Sequence, residues 1–311
     1  MAEIDLSAIN ARATENPRDF VLGCEKKYKE FIKNTADRAT KDGKIRMILL
    51  AGPSGSGKTT TANMLADEIR SRGLQSLVVS LDDFYRDSTD EDYPRLENGE
   101  RDFESVDALN LSDLENTLVS IADGKDFTVP KYDFKLGGRS EVRKISKISH
   151  GCVIIEGLHA MNPRIFEHLP SEKVLRIFIS VSTNINADGE RILSGRKLRF
   201  TRRMVRDSVY RGADALRTLE MWGNVIAGEE KYLYPYRKYA DIDFDTFHDF
   251  EPCIMRKYAE GLISKELAEK NSYAKTVLSA LSTVEPISEQ IVPRDSLLRE
   301  FITGGIYEEF Y

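Results

Sequence analysis

The chain has 311 residues, which suits one large domain or one domain with extensions. Hydrophobic residues make up 41% of it, an ordinary fraction for a soluble globular protein with a full core. Its formal net charge of −6 argues against a general nucleic-acid binder, although a nucleotide site needs only local positive charge.

The three cysteines, Cys24, Cys152 and Cys253, are far apart and form no C-x-x-C pair. This spacing argues against a disulfide scaffold or a zinc site and favours a reducing, cytoplasmic setting with packed free thiols. The first residues lack a basic segment followed by an apolar run, so we expect no signal peptide. No apolar stretch is long enough to cross a bilayer, so we expect no membrane partner.

The first predicted helix follows Asn16-Pro17, which resembles an N-cap followed by proline at the first helical position. A polar stretch at residues 34–44 is predicted to end this N-terminal helical segment. The apolar positions recur at helical spacing and indicate an amphipathic helix; they are Val21, Cys24, Tyr28 and Phe31.

Short apolar runs predict buried strands, because several lack the alternation expected of a half-exposed strand. Helical patterns lie between them, notably at residues 60–71 and 112–122. Strands that alternate with helices predict an α/β fold with a mostly parallel sheet flanked by helices. The predicted strands are residues 45–51, 77–81, 152–155, 174–181 and 242–246.

A phosphate-binding loop follows the first of these strands and fits G-x-x-x-x-G-K-[ST] in full. Its glycines allow backbone N–H groups to turn toward phosphate oxygens, and the helix that follows adds the positive end of its dipole. Lys58 is expected to reach the β- and γ-phosphates, and the Thr59 hydroxyl is expected to bind Mg²⁺. The predicted nucleotide-binding residues here are Gly52, Pro53, Ser54, Gly55, Ser56, Gly57, Lys58, Thr59 and Thr60.

A second oxygen ligand for Mg²⁺ is predicted at Glu156, where an apolar strand ends in a carboxylate. This arrangement is typical of a Walker B strand, with Glu in place of the more common Asp. A helix-capping or surface glutamate at the end of the strand is the alternative interpretation, although the phosphate-binding loop in the same chain favours the metal role.

The predicted acceptor side follows the second strand, in Ser80-Leu81-Asp82-Asp83. Because the carboxyl ends of parallel strands open onto one ligand crevice, Asp82 is expected to face the phosphate-binding loop. Asp82 is the candidate general base, and Asp83 is the alternative, since adjacent strand residues face opposite ways.

Arginines at helical spacing follow in residues 187–230, where the pattern is mostly helical. Arg202 and Arg203 both neighbour Arg206 along one side of the predicted helix, and Arg211 follows. Planar, permanently charged guanidinium groups suit the charge that spreads over a transferred phosphoryl group. A solvated basic helix face is the alternative interpretation of the same spacing.

The segments GPSGSGKTT, LDDFY, RDFESVDAL, PKYDF, VIIEGLH, RRMVRDSVYRG and KYADIDF together resemble the phosphoribulokinase/uridine kinase family. The likeness is closest to the bacterial uridine kinase-like nucleoside kinases, and it runs in order from about residue 45 to residue 246. VPRDSLLREFITGG also resembles the C-terminal end of a bacterial subgroup of these kinases.

The resemblance implies catalytic roles for Asp82, as base for a ribose 5′-hydroxyl, and for Lys58 and the arginines. Arg203 falls on a residue that contacts ribose hydroxyls and phosphate, while Arg206 and Arg211 fall on arginines of a mobile lid that face ATP. The second arginine of the family's R-G-R turn is Ala213 here, which weakens the lid or shifts its work to Arg217.

The resemblance also implies an acceptor pocket. The family's ribose-binding Asp falls on Glu104, and the histidine that helps to read a pyrimidine base is replaced by Gly137. A site without a hydrogen-bond partner for the nucleobase discriminates poorly between nucleobases, so the resemblance does not determine which nucleoside is bound. The residues expected to line this pocket are Asp82, Tyr85, Phe103, Glu104, Tyr132, Phe134, Arg139 and Arg203.

The resemblance and the residue patterns together predict a P-loop kinase with an arginine-rich helical lid. Residues 1–43 are expected to form an N-terminal helical extension, and residues 44–250 the kinase domain, with the lid at about 187–230. Residues 251–311 are expected to form a C-terminal helical extension packed on that domain and ending in an irregular tail.

The sequence therefore predicts a nucleoside kinase that uses ATP or GTP with Mg²⁺. Transfer to a phosphorylated sugar or to pantothenate is the second hypothesis, motivated by Gly137 and Glu104. A nucleotide-dependent switch ranks last, because the chain has no N-K-x-D motif. Such families often form dimers or tetramers, so a homo-oligomer is expected, although no residue pattern indicates it. His159 lies just after Glu156 and is expected near the crevice, without metal-ligand spacing.

Overall fold

The computed structural model describes residues 2–310. The strands are β1 (Glu3–Asp5), β2 (Met47–Ala51), β3 (Gln75–Ser80), β4 (Phe127–Asp133), β5 (Gly138–Ile145), β6 (Gly151–Glu156), β7 (Val174–Ser180), β8 (Asn184–Ala187), β9 (Glu190–Leu193) and β10 (Ile242–Asp245). The α-helices are α1 (Leu6–Glu15), α2 (Pro17–Thr40), α3 (Lys58–Ser71), α4 (Leu111–Ala122), α5 (Pro163–Phe166), α6 (Gly195–Arg211), α7 (Ala215–Tyr232), α8 (Glu251–Leu262), α9 (Lys265–Lys270) and α10 (Ser272–Leu281).

A five-stranded parallel sheet forms the centre, in the order β10-β7-β2-β6-β3. All five strands predicted from apolar runs lie in it, which confirms the expected mostly parallel α/β sheet. Leu50 of β2 lies opposite Glu156 of β6 and Ile177 of β7, and Ser80 of β3 lies opposite Glu156. The carboxyl ends of β2, β6 and β3 therefore meet at one edge, where the chain continues into the predicted site residues.

Helices cover both faces of this sheet. Ile48 and Leu50 point into an apolar cluster shared with α2, α3 and α8, while Met47 and Leu49 point into a second cluster shared with α4 and α5. All four side chains are fully buried. The continuous apolar character of β2 follows from this double coverage, because neither face of the strand meets water.

Helix α2 begins as the sequence predicts, since the Asn16 side chain caps it by accepting a hydrogen bond from the backbone N–H of Asp19. It then runs to Thr40 and so includes much of the polar stretch that was expected to close this piece. The apolar stripe continues through this stretch, where Ala36 and Ala39 are buried, and packing prolongs the helix.

Two smaller sheets lie outside the central one and were not predicted. Strands β4 and β5 form an antiparallel hairpin, and β1 joins β8 and β9. Strand β9 takes up part of the segment expected to be mostly helical, and α6 and α7 are the helices of the segment predicted to be an arginine-rich lid. Within residues 2–310, no helix combines the length and the apolar composition needed to span a membrane.

Candidate active site

The phosphate-binding loop takes the conformation that its glycines allow. The backbone φ angles of Gly55 and Gly57 are +75° and +88°, a region that favours glycine. A Cβ added at Gly55 would lie 2.7 Å from the backbone oxygen of Arg199, and one added at Gly57 would lie 2.6 Å from the Leu297 side chain. Helix α3 starts at Lys58 directly after this turn, so its N-terminal N–H groups point into the loop.

A buried ion pair between α6 and α7 supports the phosphate-binding loop at Ser54. Arg199 of α6 and Glu229 of α7 form a bidentate pair with both N–O distances at 2.8 Å. Glu229 also accepts a hydrogen bond from the Ser54 N–H, and Arg199 donates one to the Ser54 carbonyl oxygen, each at 2.8 Å. Sequence reasoning missed this pair, because two residues 30 positions apart on separate helices give no local signal.

Arg202 has a similar structural role. It is fully buried, pairs with Glu251 at 2.6 Å and donates to the backbone oxygens of Gly55 and Thr246. The alternative of a solvated basic face therefore does not describe Arg202. Its guanidinium joins the phosphate-binding loop to the start of α8.

Three carboxylates surround Lys58 at the carboxyl edge of the sheet. Burial raises the pKa of Glu156 to about 7, against the lowering effect of the Lys58 charge. Burial also raises the pKa of Glu104 to about 7, and Arg203 and Lys58 oppose this shift. Asp82 completes the group, and the structure thus brings together residues that the sequence placed on three separate strands and loops.

Asp82 and Asp83 lie in a short 3₁₀ turn, Leu81–Phe84, and have different surroundings. Asp82 is reachable by solvent, yet the protein packed around the crevice raises its pKa, and the positive charge of Lys58 lowers it. Asp83 is buried and pairs with Lys131 and Arg143 of the hairpin, at 3.3 Å and 3.8 Å. The geometry favours Asp82 over Asp83 as a base, because Asp83 already neutralises two cations of the fold.

The lid arginines are organised by one carboxylate, that of Asp207. Asp207 is buried and lies within ion-pair distance of Arg203 (3.2 Å), Arg206 (3.0 Å) and Arg211 (3.2 Å). The charges of Arg211 and Arg206 also lower the pKa of Asp82, so these arginines act electrostatically on the candidate base. The aspartate in R-R-x-x-R-D was the available sequence signal for this organising role.

Aromatic rings form one wall beside this crevice. The ring centroids of Tyr85 lie 5.6 Å from Tyr132 and 5.9 Å from Phe134, and Tyr132 and Phe134 are 5.0 Å apart. Tyr132 is buried, whereas 69% of the Phe134 surface is exposed. Phe103 is half-exposed, and its carbonyl oxygen accepts a hydrogen bond from the Tyr85 hydroxyl. An exposed ring backed by a buried one is available to stack on a planar ligand.

Gly137 lies at the turn of the β4–β5 hairpin, with φ at +67°. Its N–H donates to the carbonyl of Asp133, and its carbonyl accepts from the Ser88 N–H, both within 2.8 Å. A Cβ at this position would lie 2.4 Å from the Ser88 hydroxyl. The backbone conformation therefore explains the presence of glycine at position 137, since a left-handed turn disfavours a residue with a side chain.

Three further residues singled out from the sequence, Glu104, Arg139 and His159, differ in their surroundings. Gly228 of α7 lies so close to Glu104 that a Cβ there would be 2.8 Å from the Glu104 Cβ, so the glycine makes room for the carboxylate. Arg139 pairs with Asp113 of α4, outside the group around Lys58. His159 is buried beside the backbone of Glu104, and burial lowers its pKa to about 4, so it carries a neutral imidazole near pH 7.

The residues predicted to hold Mg²⁺ have suitable chemistry. Thr59 offers a hydroxyl at the start of α3, and Glu156 offers a buried carboxylate at the end of β6, beside Lys58. Mg²⁺ in nucleotide sites commonly takes one or two protein oxygens and fills its octahedron with phosphate oxygens and water. Within residues 2–310, no group of three or more His, Cys, Asp or Glu side chains is arranged to hold a metal by itself.

The chain matches the family described as Phosphoribulokinase / Uridine kinase over residues 47–251. It is 31% identical to the uridine kinase of Schizosaccharomyces pombe over 64% of this chain and 40% of that protein. Identity to uridine kinase-like protein 5 of Arabidopsis thaliana is 29%, over 63% of this chain and 38% of that protein. The chain thus spans about two fifths of the length of these two curated relatives. Uridine-cytidine kinase B of Dictyostelium discoideum is 26% identical over 74% of this chain and 86% of that protein.

Proposed function

This chain belongs to the phosphoribulokinase/uridine kinase family, and from that premise we propose that it transfers the γ-phosphoryl group of ATP or GTP to the 5′-hydroxyl of a nucleoside. One observation carries the proposal. Asp82 is solvent-exposed and feels the charges of Lys58, Arg206 and Arg211, while its neighbour Asp83 is engaged by cations of the hairpin.

In the proposed donor site, the N–H groups of residues 55–60 and the Lys58 ammonium hold the phosphates. Arg206 and Arg211 approach from the lid, where Asp207 fixes their positions. They stabilise the charge that spreads over the γ-phosphoryl oxygens during transfer. Thr59 and Glu156 would hold a Mg²⁺ ion, which would supply positive charge to neutralise the phosphates.

In the proposed transfer step, the Asp82 carboxylate accepts the proton of the acceptor hydroxyl. The hydroxyl oxygen then forms a bond to the γ-phosphorus as the bond to the β,γ-bridging oxygen breaks, and the nucleoside diphosphate leaves. The crevice raises the pKa of Asp82 toward the working pH, which suits a general base.

The proposed acceptor pocket lies between the Asp82 carboxylate and the aromatic wall formed by Tyr85, Tyr132 and Phe134. Glu104 and Arg203 would bind the ribose hydroxyls, because Glu104 interacts electrostatically with Asp82 and Lys58, and Arg203 interacts with Glu104. The exposed faces of Phe103 and Phe134 would stack on the base, which we propose to be uridine- or cytidine-like. Stacking tolerates many bases, so we expect weaker discrimination than a site with a base-reading hydrogen bond would give.

The test is an ADP-release assay with Mg²⁺ and ATP or GTP, and with uridine, cytidine, adenosine, guanosine, pantothenate or ribulose 5-phosphate. The proposal predicts turnover with at least one nucleoside and product phosphorylated at the 5′ position. Lys58→Ala should weaken both nucleotide binding and turnover. If only pantothenate or ribulose 5-phosphate stimulates ADP release, the proposal that the acceptor is a nucleoside is wrong. Tight nucleotide binding without any acceptor-dependent turnover would favour a nucleotide-dependent switch over a kinase.

A further inference from the structure

One backbone donor of the phosphate-binding loop is already engaged by an anion from a distant part of the chain. The N–H of Thr60 donates to the Glu300 carboxylate over 3.0 Å. Thr60 is fully buried, and Glu300 is 4% exposed. The contact joins residues 240 positions apart, and sequence reasoning gave no indication of it.

The Thr60 N–H lies in the first turn of α3, among the helix donors that lack an intrahelical partner. In a phosphate-binding loop, these N–H groups cradle the α- and β-phosphates of the nucleotide. Gly57 at the N-cap provides no side-chain hydrogen bond for them. Glu300 therefore engages a donor that a bound phosphate would use, and it caps the helix with a carboxylate.

Glu300 belongs to a segment, residues 293–302, that packs directly on this loop. Leu297 contacts Gly57 so closely that a Cβ there would lie 2.6 Å from it. Asp295 pairs with Lys29 of α2 at 2.5 Å, and the Ser296 hydroxyl donates to Glu25 of α2 at the same distance. These contacts position the Glu300 carboxylate against α3.

The same segment also contacts the lid. Tyr210, near the end of α6, donates a hydrogen bond to the carbonyl oxygen of Ile302 over 3.1 Å. Arg206 lies one turn earlier on that helix. A movement of residues 293–302 would therefore reach the helix that carries the proposed lid arginines.

We propose that Glu300 is an autoinhibitory competitor for the nucleotide, occupying the Thr60 N–H that an α-phosphate would use. A nucleotide with its full phosphate chain displaces the carboxylate and loosens residues 293–302. A shorter ligand such as pyrophosphate fills only the part of the loop around Gly55–Lys58 and leaves Glu300 in place. The inference rests on the proposed function only in requiring that this loop binds nucleotide.

The test compares Mg-ATP and Mg-pyrophosphate binding by calorimetry to the wild type, Glu300→Gln and Glu300→Ala, with the exposed Glu309→Gln as the matched control. Removing one competing charge should tighten ATP binding by about tenfold or more, because like charges repel strongly in a crevice. Pyrophosphate binding should tighten by clearly less than ATP binding does, because pyrophosphate does not compete for the Thr60 N–H, and Glu309→Gln should match the wild type.

Unchanged or weaker ATP binding in both Glu300 variants would overturn the proposal, and so would an equal gain for pyrophosphate. Hydrogen exchange of the wild type provides a second measurement that needs no variant. A non-hydrolysable ATP analogue with Mg²⁺ should speed exchange in residues 297–302, and added protection there would contradict the displacement. Because these readouts report binding, failure of the proposed phosphoryl transfer would show separately, as bound nucleotide without acceptor-dependent ADP release.

Discussion

Arg203 donates a hydrogen bond from its guanidinium to the Ser54 hydroxyl over 2.8 Å, which joins the lid helix α6 directly to the phosphate-binding loop. Asp207, one turn further along α6, pairs with the same arginine at 3.2 Å. The hydrogen bond and the ion pair therefore hold the phosphate-binding loop and α6 in fixed relative positions. Such preorganisation favours transition-state stabilisation, because the charged groups need little reorientation during reaction.

The first prediction concerns the proposed base. Asp82→Asn should lower kcat by about 10²–10⁴-fold, the usual contribution of general-base catalysis, while the Kd for ATP stays near that of the wild type. Asp82 lies in the acceptor half of the crevice, so nucleotide contacts should persist. Single-turnover kinetics and calorimetry on the same preparation measure the two quantities.

Asp83→Asn is the matched control, because the two aspartates are adjacent and differ in their partners. It should lower the melting temperature, since Lys131 and Arg143 would lose a buried counter-charge, and it should keep most of the turnover. Retained turnover in Asp82→Asn, with loss in Asp83→Asn, would transfer the base role to Asp83.

The second prediction concerns the buried pair under the phosphate-binding loop. Glu229→Gln should lower the free energy of unfolding by about 3–5 kcal/mol, because the Arg199 guanidinium would stay buried without its counter-charge. It should also raise the KM for ATP, since a neutral amide oxygen accepts more weakly from the Ser54 N–H and the amide NH₂ cannot accept from Arg199. Urea unfolding and steady-state kinetics measure these effects.

The adjacent residue provides the control for that variant. Glu230 pairs with Arg196 across the same two helices, but both side chains are about half exposed. Glu230→Gln should change the unfolding free energy by no more than ~1 kcal/mol and leave the KM for ATP unchanged. Equal effects of the two variants would show that Glu229 does not support the loop.

The third prediction is a pH dependence of stability that arises at Glu25. Burial raises the pKa of Glu25 to about 7, against the hydrogen bond from Ser296 and the positive charge of Lys29. A carboxyl group whose pKa is raised in the folded state stabilises at low pH, and that contribution is lost as the pH rises from about 4.5 to 7. The loss is on the order of 3 kcal/mol for this one group.

Glu25→Gln removes this titration and should therefore become more stable relative to the wild type as the pH rises through that window. The comparison between variants is needed because His248, 3.9 Å from Glu25, acts in the opposite direction. Burial lowers the pKa of His248 to about 3, so its contribution is lost as the pH falls below 6.5. A difference in unfolding free energy that stays constant from pH 4.5 to 7.5 would contradict the prediction.

The central sheet could be predicted from the sequence because β2, β6 and most of β7 are continuous, buried apolar runs that need no information from elsewhere. The β4–β5 hairpin could not, since β5 is largely exposed and carries few apolar side chains that would mark it as a strand. The phosphate-binding loop and Asp82 follow from motifs. The contacts of Arg199 with Glu229, and of Thr60 with Glu300, depend on how distant segments pack, and no local pattern encodes that packing.

The last prediction concerns Gly137, the position at which the family has a histidine. Gly137→His should not increase the preference for uridine over adenosine in kcat/KM, because the Cβ of residue 137 points at the Ser88 hydroxyl, only 2.4 Å away. It should also lower the unfolding free energy by about 1–2 kcal/mol, the usual cost of a side chain at positive φ.

Gly137→Ala separates that backbone cost from the effect of the imidazole. Gly212→Ala matches it on backbone conformation, since Gly212 has φ at +63° and no atom within 4 Å of an added Cβ. A tenfold rise in uridine preference for the histidine variant alone would show that the hairpin can rearrange to present the ring to the base.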